Sequence, residues 1–161
     1  MELYLKQKIF SWNDKFYVYD EAGNEKYYVE GELFSWGKKL HLFDMSGREL
    51  AFIKEKVFSL LHRYYVLRGE EQIAEVVREF TFFRPKYTVN GPGWVVDGNF
   101  WEHEYSVNTE SGAPVASVSK EYFTWADTYR IQIFPGGDEV SVLATVLAID
   151  ACVEANQNNR G

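Results

Sequence analysis

Apolar and polar residues alternate in short runs from the N-terminal region to Phe134, and after that the alternation stops. The runs are Leu5–Trp12, Phe16–Asp20, Lys26–Phe34, Leu40–Asp44, Glu49–Ser59 and Tyr64–Arg68, then Ile73–Phe83, Lys86–Asn90, Trp94–Phe100, Glu102–Asn108, Pro114–Phe123 and Thr128–Phe134. Between them lie turn residues such as Glu21-Ala-Gly-Asn24, Met45-Ser-Gly47, Gly69-Glu-Glu71, Gly91-Pro-Gly93 and Thr109-Glu-Ser-Gly112. Alternation with a period of two places every second side chain on one face of a strand, and many short strands separated by such turns predict a sandwich or a barrel. Val140–Val153 is different. Only Ser141, Thr145 and Asp150 are polar in it, and no polar stripe follows a helical spacing. A helix apolar on all sides is buried on all sides or sits in lipid. Spanning a bilayer takes about 20 apolar residues, and this run is shorter and is followed by Glu154 and Asn156. The pattern therefore predicts a buried helix. Pro135-Gly-Gly137 breaks the preceding strand, and Asp138 is placed to cap the helix with Glu139 in its first turn.

The strand region repeats. Val29-Glu-Gly-Glu-Leu-Phe34 returns as Val96-Asp-Gly-Asn-Phe-Trp101, and Asp44-Met-Ser-Gly-Arg-Glu-Leu-Ala51 returns as Thr109-Glu-Ser-Gly-Ala-Pro-Val-Ala116. The expected organisation is one domain over 1–156, with repeat one about 4–69, repeat two about 72–134, a central helix about 138–155, and a polar tail at 157–161. Two half-walls of six strands close on each other. At a strand spacing of about 4.8 Å and a tilt of about 40°, twelve strands enclose a radius near 12 Å, which admits a helix about 10 to 12 Å across. The fold class is mainly β: a closed twelve-stranded antiparallel barrel around a buried C-terminal α-helix.

A duplicated six-strand unit closed around a C-terminal apolar helix resembles the tubby C-terminal-like superfamily. Within it the chain is most similar to the YxjI-type and LURP-one-related branch, with tubby and the phospholipid scramblases as distant relatives. The residues that carry the likeness are Asp127, Tyr129, Ile131 and Ile133, then Phe134-Pro135 and Ala148-Ile149-Asp150. Tubby domains bind phosphoinositides, and scramblases are membrane-associated and calcium-linked, so the resemblance implies a binding or tethering module. The chain departs from the scramblases before its helix, where only Asp127 and Asp138 remain of an acidic cluster. Calcium takes six to eight oxygen ligands, so neither calcium binding nor scrambling is carried over.

Charge and chemistry narrow the reading further. A net charge of −7 argues against nucleic acid as a partner. One cysteine, Cys152, permits no internal disulfide, and the N-terminus has no apolar run of signal-peptide length; both fit a cytoplasmic protein, at most peripheral at a membrane. His41, His62 and His103 lie in separate runs without metal-ligand spacing, although stacked halves would bring His41 towards His103. Cys152 lies in the buried helix, away from the exposure and the base that a catalytic thiol needs. No catalytic residues, metal ligands or cofactor site can be assembled. Asp150 is read as a buried structural carboxylate that accepts hydrogen bonds from a strand end and fixes the helix register. Lys38, Lys39, Lys54, Lys56, Arg84 and Lys86 are the candidates for an anion or lipid-headgroup site, the partner being an anionic lipid or a protein. The function expected is non-enzymatic binding; the alternative is a small-molecule binder or enzyme with a pocket at a barrel mouth.

Overall fold

A computed structural model describes residues 1–6, 15–32, 36–82, 84–121 and 128–158. The first half of the wall is β1 (Glu2–Lys6), β2 (Phe16–Tyr19), β3 (Glu25–Gly31), β4 (Lys39–Asp44), β5 (Glu49–Glu55) and β6 (Arg63–Arg68). The second half is β7 (Glu71–Glu79), β8 (Lys86–Asn90), β9 (Trp94–Asn99), β10 (Glu104–Thr109), β11 (Pro114–Glu121) and β12 (Thr128–Ile133), followed by α1 (Glu139–Asn158). Each strand pairs antiparallel with its sequence neighbours, and β1 pairs with β12 from Glu2↔Gln132 to Lys6↔Thr128, which closes the barrel. The twelve-strand antiparallel barrel with one C-terminal helix is thus the observed fold.

Alternation along each strand sends one face inward. Leu3 and Leu5, Leu40 and Leu42, Ala51 and Ile53, Tyr64 and Val66, and Tyr129 and Ile131 all lie in the core. Helix residues 142–152 are buried without interruption, with Leu143 and Ile149 at 0% and Leu147 at 1% exposure. The three polar residues of the Val140–Val153 run each make a hydrogen bond. Ser141 donates its amide to Asp138 Oδ2 at 2.9 Å, closing the N-terminal cap, and Thr145 returns its hydroxyl to the Ser141 carbonyl at 2.8 Å. Asp150 accepts the Tyr129 hydroxyl. Further bonds hold the helix start to the wall: Tyr27 donates to Glu139 at 2.6 Å, Lys26 lies 2.7 Å from the same carboxylate, and Arg68 pairs with Asp138.

The departures from expectation cluster at strand ends. β1 begins at Glu2, not Leu5, because the chain pairs with β12 from its start and the Met1 carbonyl accepts the Ile133 amide at 2.9 Å. The rest of that expected run, like Phe34, Phe83 and Phe123, lies outside the described residues. β5 stops at Glu55 instead of Ser59, where Phe58 takes a left-handed φ of 61°. β7 starts earlier, at Glu71, and stops at Glu79. The helix runs on to Asn158, since neither Gly nor Pro follows Glu154 before that point.

Gly98 shows how closely the wall packs. Its φ is 142°, and a Cβ there would lie 2.6 Å from Tyr105 Cα on the adjacent strand. Gly98→Ala is expected to lower stability by at least ~1–3 kcal/mol. Leu147→Ala, which empties space between helix and wall, is expected to cost ~2–5 kcal/mol. Both are read as urea midpoints, and a change of only a few tenths in either would mean that the interior is loosely filled.

Candidate functional site

The two ends of the barrel are built differently. At the closed end, where α1 begins, the connections are short turns that each carry a left-handed glycine: Gly23, Gly47, Gly69, Gly91, Gly112 and Gly136. Exposed carboxylates surround them, including Glu21, Glu49, Glu70, Glu71 and Glu110. At the other end, where α1 finishes, the connections described are 32, 36–38, 56–62, 80–82, 84–85 and 100–103. These hold Trp36 at 78% exposure, Phe58 at 94%, Leu60, Phe80, Phe82 at 87%, and Trp101. Phe80 and Phe82 meet edge to face at 5.5 Å. Large apolar side chains converging on one rim mark an interaction surface, whereas scattered ones do not. Phe58 adds strain to exposure. A bulky residue in the left-handed region costs energy, and such strain collects where function needs it.

All six cations singled out in the sequence are at this open end, because they occupy the starts of β4 and β8, the end of β5 and the loops beside them. They do not converge on one point. Lys38 Nζ lies 2.5 Å from Glu154 of the helix, half-buried inside the mouth. Lys39 faces Lys54 across the β4–β5 pair, and its Nζ is 3.7 Å from Glu32. Lys56 is exposed in the β5–β6 loop, while Arg84 and Lys86 flank the β7–β8 connection.

Beside Arg84 the rim opens into a cleft of about 540 Å³ between the β5–β6 and β7–β8 loops, Trp101 and Asn156 of the helix. Its lining includes the apolar Leu60, Phe80 and Phe82 and the basic or titratable Arg78, Arg84 and His62. Arg78 follows Ala74 and Val76 in the inward alternation of β7; burial raises the Tyr87 and Cys152 pKa values, and the Arg78 charge offsets part of that rise. Among the described residues no carboxylate forms an ion pair with Arg78 or Arg84; the acids nearby are engaged elsewhere. Glu55 accepts the Lys38 amide at 3.0 Å and faces His62 at 3.7 Å, and Glu79 accepts the Thr88 hydroxyl at 2.6 Å.

A second polar group lies inside the wall. His103, also left-handed at φ 52°, stacks on Tyr129 at 4.5 Å with the rings 5° from parallel, and its Nδ1 is 3.7 Å from Asp150 Oδ1. Burial pushes the Tyr129 phenol well up, and the Asp150 charge adds to it. Cys152 is buried, and burial pushes its thiol up as well, so it stays protonated. His41 is elsewhere, on the outer face between Glu32 at 3.0 Å and Glu49 at 3.2 Å, stacked on Phe52, so the two histidines do not share a site. Asp127 lies outside the described residues, and Asp138 is occupied as the helix cap. Among the described residues no group of three His, Cys, Asp or Glu could hold a metal ion.

Sequence reading missed Arg78 and the individual rim aromatics, and it did not place His103 beside Asp150. One signal for the rim was available: alternate connections are glycine turns, and the others are aromatic.

The His103–Asp150 pair sets a pH dependence. Burial alone would lower the His103 pKa, but contact with Asp150 and its charge outweigh that and leave it raised above 6.5. A histidine raised by a partner contributes stability fully below its unfolded pKa and loses it as pH rises through the folded one. The stability difference between wild type and His103→Gln should therefore be larger near about pH 5.5 than near about pH 8.5. A difference that is flat with pH, or grows with it, in urea titrations would contradict the pairing.

Comparison with known proteins agrees with this architecture. The family model described as LURP-one-related matches residues 1–150. The uncharacterized protein YxjI of Bacillus subtilis (strain 168) is 37% identical over 150 residues, covering 93% of this chain and 92% of YxjI. An X-ray structure of a protein from Arabidopsis thaliana superposes with a TM-score of 0.70 at 21% identity, covering 95% of this chain and 90% of that one, and so shares the fold. With the whole barrel and most of the helix inside the matched region, the chain belongs to the LURP-one-related family.

Proposed function

We propose that this protein is a non-enzymatic binding module that docks its open rim on an anionic phospholipid surface. One observation carries the reading: the exposed aromatic loops and the six candidate cations share one end of the barrel, and the turns at the other end are acidic. Trp and Phe side chains are at home at the headgroup level of a bilayer. Each Lys or Arg near an anionic leaflet adds about 1 kcal/mol. A chain with net charge −7 needs its charges segregated to approach such a surface, with the acidic end turned away. Lys39, Lys54, Lys56, Arg84 and Lys86 would form the basic fringe and Phe58, Leu60, Phe80 and Phe82 the inserted edge. No helix among the described residues is long and apolar enough to cross a membrane, and docking in this manner requires none. Binding, as opposed to chemistry, is supported by the helix that occupies the barrel axis and by the burial of Cys152.

Co-sedimentation with vesicles of phosphatidylcholine, with and without phosphatidylserine, tests the reading. Binding is expected at low salt to the anionic vesicles only, fading towards ~0.5 M salt as charges are screened. Phe58→Ser with Leu60→Ser should weaken it at least about tenfold, from the ~1.5–3 kcal/mol that burial of each side chain contributes. Lys54→Glu with Lys56→Glu should weaken it several-fold. Absence of sedimentation with anionic vesicles at low salt would overturn the lipid reading and favour a protein partner for the same rim.

A further inference from the structure

We infer that the cleft beside Arg78 is a binding site for a single anionic amphiphile, an acyl or alkyl chain ending in a phosphate or carboxylate. This deepens the rim reading and rests on it for the location, but it concerns one molecule bound in a site instead of a surface touched from outside. Four observations converge. The cleft has a volume of about 540 Å³, within the roughly 300–1,000 Å³ of small-molecule sites. Its lining is of two kinds, the apolar side chains of Leu60, Phe80 and Phe82 and the two arginines Arg78 and Arg84. Neither guanidinium has a carboxylate partner among the described residues, and the one acid lining the cleft, Glu79, is held by the Thr88 hydroxyl. Finally, Arg78 follows Ala74 and Val76 in the inward alternation of β7 and is half-buried, where water competes less for its donors.

The chemistry of the ligand follows from that lining. A guanidinium presents a planar fork of donors that matches the oxygens of phosphate or carboxylate, and two of them at one mouth favour a compact anion over a neutral polar group. The apolar surface of Leu60, Phe80 and Phe82 in the same cleft is left to water unless a chain covers it. An inorganic anion would satisfy only the arginines, and a neutral alcohol only the aromatics, so both parts of the ligand are needed. The buried helix occupies the barrel axis, so the chain lies along Phe80, Phe82 and Trp101 at the rim and not down the axis. A lipid drawn partly out of a bilayer and a free fatty acid or alkyl phosphate present the same chemistry.

Octyl phosphate below its micelle concentration is the probe, followed by calorimetry and by tryptophan fluorescence, with inorganic phosphate and octanol as half-ligands. Saturable one-to-one binding is expected, at least about tenfold tighter than either half-ligand, with Arg84→Gln and Arg78→Gln each weakening it about tenfold or more. Arg84 lies in an exposed connection, so its variant keeps the test valid should Arg78→Gln unfold. Octyl phosphate presented free and then within phosphatidylcholine vesicles separates the two sources of the ligand. Lys54→Glu with Lys56→Glu should leave the binding of free octyl phosphate unchanged while reducing vesicle sedimentation, which distinguishes this site from the surface reading. The inference is overturned if octyl phosphate does not saturate, if octanol binds as well, or if neither arginine variant matters. Sedimentation on anionic vesicles that persists in any of those cases would leave the rim reading standing without the site.

Discussion

Helix and wall depend on each other through burial. Val140, Val142, Thr145, Val146, Ile149 and Val153 are β-branched, a composition with modest intrinsic helix propensity, so the stability of the helix comes mainly from tertiary packing. The wall has the same need in reverse. Its inward side chains, from Leu3 on β1 to Ile131 on β12, would line an empty core without the helix. The small residues Ala144, Ala148 and Ala151 let the strands approach it closely, and Ser141, Thr145 and Asp150 Oδ2 bond to the cap, the helix backbone and Tyr129, while Asp150 Oδ1 faces His103. The helix occupies the axis, the place where open barrels hold their ligands.

The ends divide that labour. An antiparallel barrel of even strand number places alternate connections at opposite rims, so each rim can be specialised without disturbing the wall. Tight glycine turns finish one rim, and the acidic cap of the helix, with its pairs to Arg68 and Tyr27, anchors it. The other rim carries longer loops, exposed rings, two left-handed non-glycine residues and the cleft. The arrangement is that of a scaffold that presents its loops at one end.

Burial wrote the fold into the sequence directly. Alternation in the strands and its absence from Val142 to Cys152 are images of one-sided and all-round burial, and both were legible without coordinates. Composition misled at the rim. Val57-Phe58 and Phe80-Thr-Phe82 have the content of strands but leave the wall, because an exposed aromatic loop and a strand use the same residues. The candidate cations were legible as types and, through the parity of the connections, as neighbours of one end. Pairs such as Lys38 with Glu154 and His103 with Asp150 join distant parts of the chain and depend on strand register and helix rotation. Arg78 was hidden for the same reason: only the register places it inward at a mouth.

The chain's single cysteine tests the sheathed helix most directly. Cys152 sits near the end of the buried run, at 0% exposure, just below the open rim. Its labelling by a thiol reagent should be negligible in the native protein and should begin in urea together with loss of the tertiary signal. Rapid, stoichiometric labelling without denaturant would contradict this account, since it would mean that the interior is open and the helix is not enclosed by the wall.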